Sequence, residues 1–78
     1  MTTEGDLVPL SRVRPGRRAV VRGGPSYRRM LDLGLVPGTV VEVVRRAPLG
    51  DPVQLSLRGF YLAVRRDEAA RILVREDP

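Results

Sequence analysis

The sequence predicts a mainly β domain: a small barrel of about five short strands, with one short inserted helix and a short C-terminal helical turn. Three observations lead to it. Pro15-Gly16 and Pro37-Gly38 are turn signals that cut the chain into short pieces, and a valine-rich run follows each. Residues 53–65 then alternate apolar and polar about a two-residue centre, Arg58-Gly59. A length of 78 residues leaves room for one domain. A hydrophobic content of 42%, rich in valine, is enough to build a core rather than leave the chain disordered.

Met1 to Asp6 is polar and reads as an N-terminal tail, so the domain is expected over residues 7–75, with 76–78 as a second tail. At Arg14-Pro15-Gly16, proline fixes φ at the first central turn position and glycine accepts positive φ at the second. Arg17 to Arg22 is the strand that follows. Gly24-Pro25 breaks the chain, Ser26 is placed to cap a helix, and Tyr27, Met30 and Leu31 recur at i, i+3, i+4. Arg28, Arg29 and Asp32 then face outward, and Gly34 stops the helix in the left-handed conformation. Two turns of helix do not hold in water, so this one must pack on the sheet. Val36-Pro37-Gly38 repeats the turn and Thr39 to Arg46 the strand. The stretches Val13–Val21 and Leu35–Val44 are faintly alike, but one turn-strand resemblance does not make a repeat.

Ala47 to Pro52 is a loop leading into the hairpin. With Arg58-Gly59 as its turn, Leu57 pairs with Phe60, Leu55 with Leu62 and Val53 with Val64, so six apolar side chains share the core face. Gln54, Ala63, Ser56 and Tyr61 take the other face, and a one-residue slip would destroy that separation. Asp67 is placed to cap a turn through Ala70, and Ile72 to Val74 is a last short strand. Five strands with few spare apolar faces favour closure into a barrel.

Composition excludes much chemistry. Without cysteine there is no disulfide, thiol nucleophile or thiolate metal site. Without histidine the commonest general base and transition-metal ligand are missing. Without lysine, Schiff-base catalysis and a P-loop are excluded. An enzyme is not expected, and neither is a bound cofactor. No apolar run approaches the ~20 residues a bilayer span requires, and nothing resembles a secretory leader, so a cytoplasmic location is expected. All fourteen cations are arginine, giving a net charge of +5 that favours phosphates or acidic proteins as partners.

The run from Arg28 to Gly38, with its Leu33-Gly34 and Pro37-Gly38 steps, continues through Val40–Val44 into Ala47-Pro48-Leu49-Gly50-Asp51-Pro52. Together with Leu57-Arg58-Gly59-Phe60-Tyr61-Leu62 downstream and Leu10 with Pro15-Gly16 upstream, it resembles the FeoA family over about residues 7 to 75. The resemblance implies an SH3-like barrel with an inserted helix. It also implies an accessory role in bacterial ferrous iron uptake, with a FeoB-type membrane transporter and its cytoplasmic GTPase region as partner. The family offers no catalytic residues to carry over.

Four arginine doublets stand out, Arg17-Arg18, Arg28-Arg29, Arg45-Arg46 and Arg65-Arg66. On a strand, neighbours point to opposite faces, so a doublet gives at most one side chain to a flat patch. Arg28, Arg29, Arg45, Arg46, Arg58 and Tyr61 are the expected partner contacts, together with the loop from Arg45 to Asp51. Tyr61 is singled out because exposed tyrosines are enriched at interfaces. The alternative is a basic RNA-binding barrel, but that needs aromatic stacking platforms, and with Phe60 assigned to the core only Tyr27 and Tyr61 remain. For metals the chain offers only hard oxygens and thioethers. Titration with ferrous iron or zinc at neutral pH is therefore expected to show no site tighter than roughly 10 μM; a stoichiometric sub-micromolar site in calorimetry overturns this.

Overall fold

Two proline-glycine turns set the frame. In each, the residue after glycine donates back across the turn, Arg17 N–H to the Arg14 carbonyl at 3.1 Å and Thr39 N–H to the Val36 carbonyl at 3.0 Å. Gly16 and Gly38 have φ of 89° and 94°, the left-handed region that a second central turn residue needs. The strands they launch form one antiparallel sheet of six, in the order β1-β6-β2-β3-β4-β5. These are β1 (Val8–Pro9), β2 (Arg18–Gly23), β3 (Val40–Arg46), β4 (Val53–Leu57), β5 (Phe60–Val64) and β6 (Leu73–Asp77). Helix α1 (Tyr27–Asp32) joins β2 to β3, and a single turn, α2 (Arg66–Ala69), joins β5 to β6. The computed structural model describes residues 6–24 and 27–77. The expected tails except Asp6, Glu76 and Asp77, the Pro25 break, the Ser26 cap and the packing of Tyr27 lie outside what it describes.

The two turn-strand units face each other across the β2–β3 ladder. Gly16 N–H donates to the Val43 carbonyl at 2.7 Å and Val43 N–H to the Arg17 carbonyl at 3.0 Å. The same pattern recurs from the other side: Gly38 N–H donates to the Val21 carbonyl at 2.7 Å, and Val21 N–H to the Thr39 carbonyl at 2.8 Å. The pairs Arg18–Glu42 and Val20–Val40 flank Ala19–Val41 symmetrically. The faint likeness in sequence is thus a local two-fold relation in space.

One face of the sheet is apolar. Ala19 and Val21 of β2, Val41 and Val43 of β3, Val53, Leu55 and Leu57 of β4, and Val74 of β6 are all buried. Leu10, Val13, Met30, Leu35, Ala69 and Ile72 cover them from the connections. Leucine 35 reaches the core through the stop of α1. Gly34, at φ 82°, donates to the Leu31 carbonyl, and Leu35 donates to the Met30 carbonyl at 2.8 Å, the paired bonds of a Schellman motif. Its usual apolar contact is supplied by Met30 and Leu35, both fully buried, whereas Leu31 is left largely exposed.

The β4–β5 register is as expected: Leu57 faces Phe60, Leu55 faces Leu62 and Val53 faces Val64. Arg58 and Gly59 both have positive φ, 50° and 85°, as a type I′ hairpin turn demands. Three expectations need correction. The strands number six, not five, because two-residue β1 is too short to show periodicity; β6, expected over Ile72 to Val74, runs over Leu73–Asp77, its charged end carrying no apolar signal. The ladder does not close: β1 and β5 remain as edges. Phe60 is not core. It is 49% exposed, because it sits at the hairpin tip on an edge strand with no further strand to cover it.

Asp67 does not cap α2 either, since the helical turn begins at Arg66. Its first N–H, that of Arg66, donates instead to Asp51 Oδ1 at 2.9 Å, so a carboxylate from the β3–β4 loop satisfies the helix start. By burial, Leu55→Ala is expected to cost ~2–5 kcal/mol in denaturant unfolding. Leu62→Ala and Phe60→Ala are expected to cost clearly less, and equal losses at all three would contradict the open edge.

Candidate functional site

The outward face of the sheet separates into three rows. Asp77, Arg18, Glu42, Ser56 and Tyr61 lie in register across β6, β2, β3, β4 and β5. Charge alternates along the first three, so their fields largely cancel. The second row is Arg45, Gln54 and Ala63 across β3, β4 and β5, with no acid in it. The third is Arg75, Val20 and Val40 across β6, β2 and β3, so uncompensated positive charge lies at Arg45, toward β5, and at Arg75 on β6.

Arg45 points outward because of a bulge. The ladder shifts by one residue between Val43 and Arg45, so Val44 has no partner and Arg45 pairs with Gln54. Arg46 pairs with Val53 and turns to the buried face. There its Nη2 donates to the carbonyls of Ser11 at 2.5 Å and Val13 at 2.6 Å. Arg46 is a strut holding the segment after β1: its Nη2 is engaged inside the domain, while its Nε is buried without a partner.

Arg45 and Tyr61 meet in a shallow open groove of about 420 Å³. Gln54 of β4, Leu62 and Ala63 of β5, and Ala47 and Pro52 of the loop complete its lining. Tyr61 is 67% exposed. Arg58 stands at the tip of the same hairpin, where Nη2 donates to Thr39 Oγ1 at 3.3 Å. Arg28 and Arg29 project from α1, and Arg29 Nε donates to Glu68 Oε2 of α2 at 2.7 Å. Of the six expected contacts, then, Arg45, Arg58 and Tyr61 share the β3–β5 side of the sheet. Arg28 and Arg29 belong to the helices, and Arg46 to the interior.

Three exposed apolar residues were not anticipated: Leu31, expected on the packed stripe of α1, Phe60 and Leu49. Leu49 is 96% exposed and holds φ 72°, ψ 5°. Gly50 N–H donates to the Ala47 carbonyl at 2.8 Å, closing a third turn with proline at its first central position. In the other two turns glycine follows proline directly; here glycine comes one residue late, at Gly50, and leucine occupies the left-handed slot at a cost of ~1–2 kcal/mol. That displaced glycine is the sequence signal that could have singled out Leu49. The loop is also fixed, through Ala47 N–H on the Pro52 carbonyl and Asp51 on α2.

Among the described residues, no three acidic side chains gather as metal ligands, and no helix is long and apolar enough to cross a membrane. A six-stranded antiparallel sheet with a helix spliced between its second and third strands defines a small SH3-like module. The chain belongs to the FeoA domain family, whose model matches residues 8–76.

A Porphyromonas gingivalis Fe(2+) transport protein A/Fe(2+) transporter FeoB fusion protein is 39% identical over 69 residues. The match covers 83% of this chain and only 8% of that protein. An FeoA-like protein from Clostridium acetobutylicum superposes with a TM-score of 0.84 at 36% identity, covering 97% of this chain and 90% of that one. Stenotrophomonas maltophilia FeoA, a zinc complex described as an SH3 domain protein possibly acting as a ferrous iron transport activating factor, gives a TM-score of 0.69 at 30% identity. That match covers 83% of this chain and 86% of that one.

The two arginines of one doublet are expected to behave oppositely. Arg46→Ala leaves two carbonyls without their charged donor and should lose ~1.5–3 kcal/mol in thermal unfolding. Arg45→Ala should stay within ~0.5 kcal/mol of the parent. Equal losses would show that the bulge does not divide them as described.

Proposed function

We propose that this protein is a cytoplasmic accessory factor of ferrous iron uptake that acts by binding the GTPase-bearing cytoplasmic region of a FeoB-type membrane transporter. The observation that carries this reading is the Porphyromonas gingivalis relative, in which a segment similar to this chain is joined to a FeoB transporter in one polypeptide. Such a tether holds two parts at an effective concentration on the order of millimolar. Two separate chains need an interface to achieve the same encounter.

The surface chemistry agrees with that role. The chain has no histidine, cysteine or lysine to support catalysis. Arg45, Arg58 and Tyr61 supply the charged and aromatic contacts on the β3–β5 side, with Arg28 and Arg29 as a second group on α1. A face of this size buries roughly 600–800 Å² on the module, which corresponds to modest affinity, and rim arginines make association depend on salt. RNA fits less well. Phe60 is exposed, but it neighbours Tyr61 on one strand, so the two rings leave opposite faces and form no common stacking platform.

The test compares pull-down of the transporter's cytoplasmic region with gel shift of bulk RNA, both at about 150 mM salt. Capture of the transporter, weakened by Arg45→Ala or Tyr61→Ala, is the expected result. RNA binding without transporter binding overturns the reading.

A further inference from the structure

The two edges of the sheet are unlike. Strand β1 is two residues long and ends in Pro9, so it offers little to an incoming chain. Strand β5 runs Phe60-Tyr61-Leu62-Ala63-Val64, with no charge and no proline, and pairs with β4 without a register shift. Edge strands usually carry such guards against pairing with other chains. Its two-residue turn closes on the Leu57–Phe60 pair, so Phe60, Leu62 and Val64 direct their backbone groups toward β4. Those of Tyr61 and Ala63 point off the sheet. Among the described residues, no turn, loop or cap bond uses them.

Two further features select what this edge accepts. The groove beside Tyr61 and Ala63 has room for a side chain on the outer face. Arg58 precedes the strand, Arg65 follows it and Arg45 overlooks it, and none of the three is in an ion pair among the described residues. We propose that β5 takes an extended, acidic segment of a partner protein as a seventh strand. The segment's backbone bonds to Tyr61 and Ala63, one apolar side chain enters the groove, and carboxylates meet Arg58 and Arg65. A second copy of this chain is disfavoured as occupant. Antiparallel β5–β5 pairing about Leu62 would bring Arg58 of each copy against Arg65 and Arg66 of the other, where like charges repel. The proposal deepens the protein-binding reading above and rests on it, but not on the transporter being the partner.

The experiment follows amide hydrogen exchange and NMR shifts of the full chain with two probes. One is a peptide alternating valine and glutamate, with its valine–lysine counterpart as control; the other is the transporter's cytoplasmic region. Slowed exchange confined to Tyr61, Ala63 and their neighbours, with the glutamate peptide and not the lysine one, supports the edge. Ala63→Glu should then weaken the glutamate peptide by about tenfold or more, while Ala63→Gln, of equal bulk, weakens it clearly less. Ala63 is exposed, and an unchanged melting temperature shows that each variant still folds.

If the peptide protects the edge and the transporter does not bind, the edge stands and the transporter reading fails. If the transporter binds with protection elsewhere and tolerates Ala63→Glu, the edge proposal fails and the transporter reading stands. Absence of protection with both probes overturns the edge proposal, as does protection by RNA or by self-association of the chain.

Discussion

The pairing of β2 with β3 is the interaction on which the rest of the molecule depends. Two turns of the same chemistry feed this ladder from opposite ends, each glycine donating across to the strand that the other turn launches. Once Ala19 lies opposite Val41, the alternation on both strands places Ala19, Val21, Val41 and Val43 on one face. That face dictates where everything else attaches. Strand β6 extends the sheet beyond β2, and β4 and β5 extend it beyond β3. Helix α1 crosses between the two centre strands and seals the core with Met30 and Leu35.

Surface chemistry follows from departures from this regularity. A perfectly alternating β3 would send Arg46 to solvent and Arg45 into the core. The unpartnered Val44 reverses that assignment, so one arginine braces the carbonyls of Ser11 and Val13 and its neighbour overlooks a groove. A similar departure presents Leu49, which stands in a turn position suited to glycine. The same loop sends Asp51 to the first N–H of α2. Arg29 then ties α2 to α1. Loop and helices are thus held in one arrangement by a few directed contacts, added to the burial of Met30 and Ala69.

What could be read in the sequence was what local chemistry decides. The proline-glycine turns, the glycine stop of α1 and the hairpin register all rest on residues close together in the chain, and the structure places them as read. What could not be read depended on distant partners. Strand β1 has only two residues, and its membership comes from pairing with Leu73 and Val74. The charged end of β6 carries no apolar signal and is a strand because β2 receives it. Phe60 belongs by alternation to the core face, and its place at the hairpin tip of an edge strand exposes it, while Val64 at the other end of β5 is buried. Doublet spacing could not say which of Arg45 and Arg46 reaches solvent, since a bulge is set by the ladder. The proposed site was legible as Arg45, Arg58 and Tyr61, but not as an edge.

The strand order has a consequence for how the chain is made. Strand β6 comes last in the chain yet lies inside the sheet, between β1 and β2, and its partners Val8 and Arg18 precede it by more than fifty residues. The meander of β2 through β5 can assemble during synthesis from contacts between near neighbours, which form fast. Until residue 77 has left the ribosome, however, β2 shows a bare edge and the core lacks Ile72 and Val74. The domain is therefore completed only after translation has passed it, by a single long-range closure.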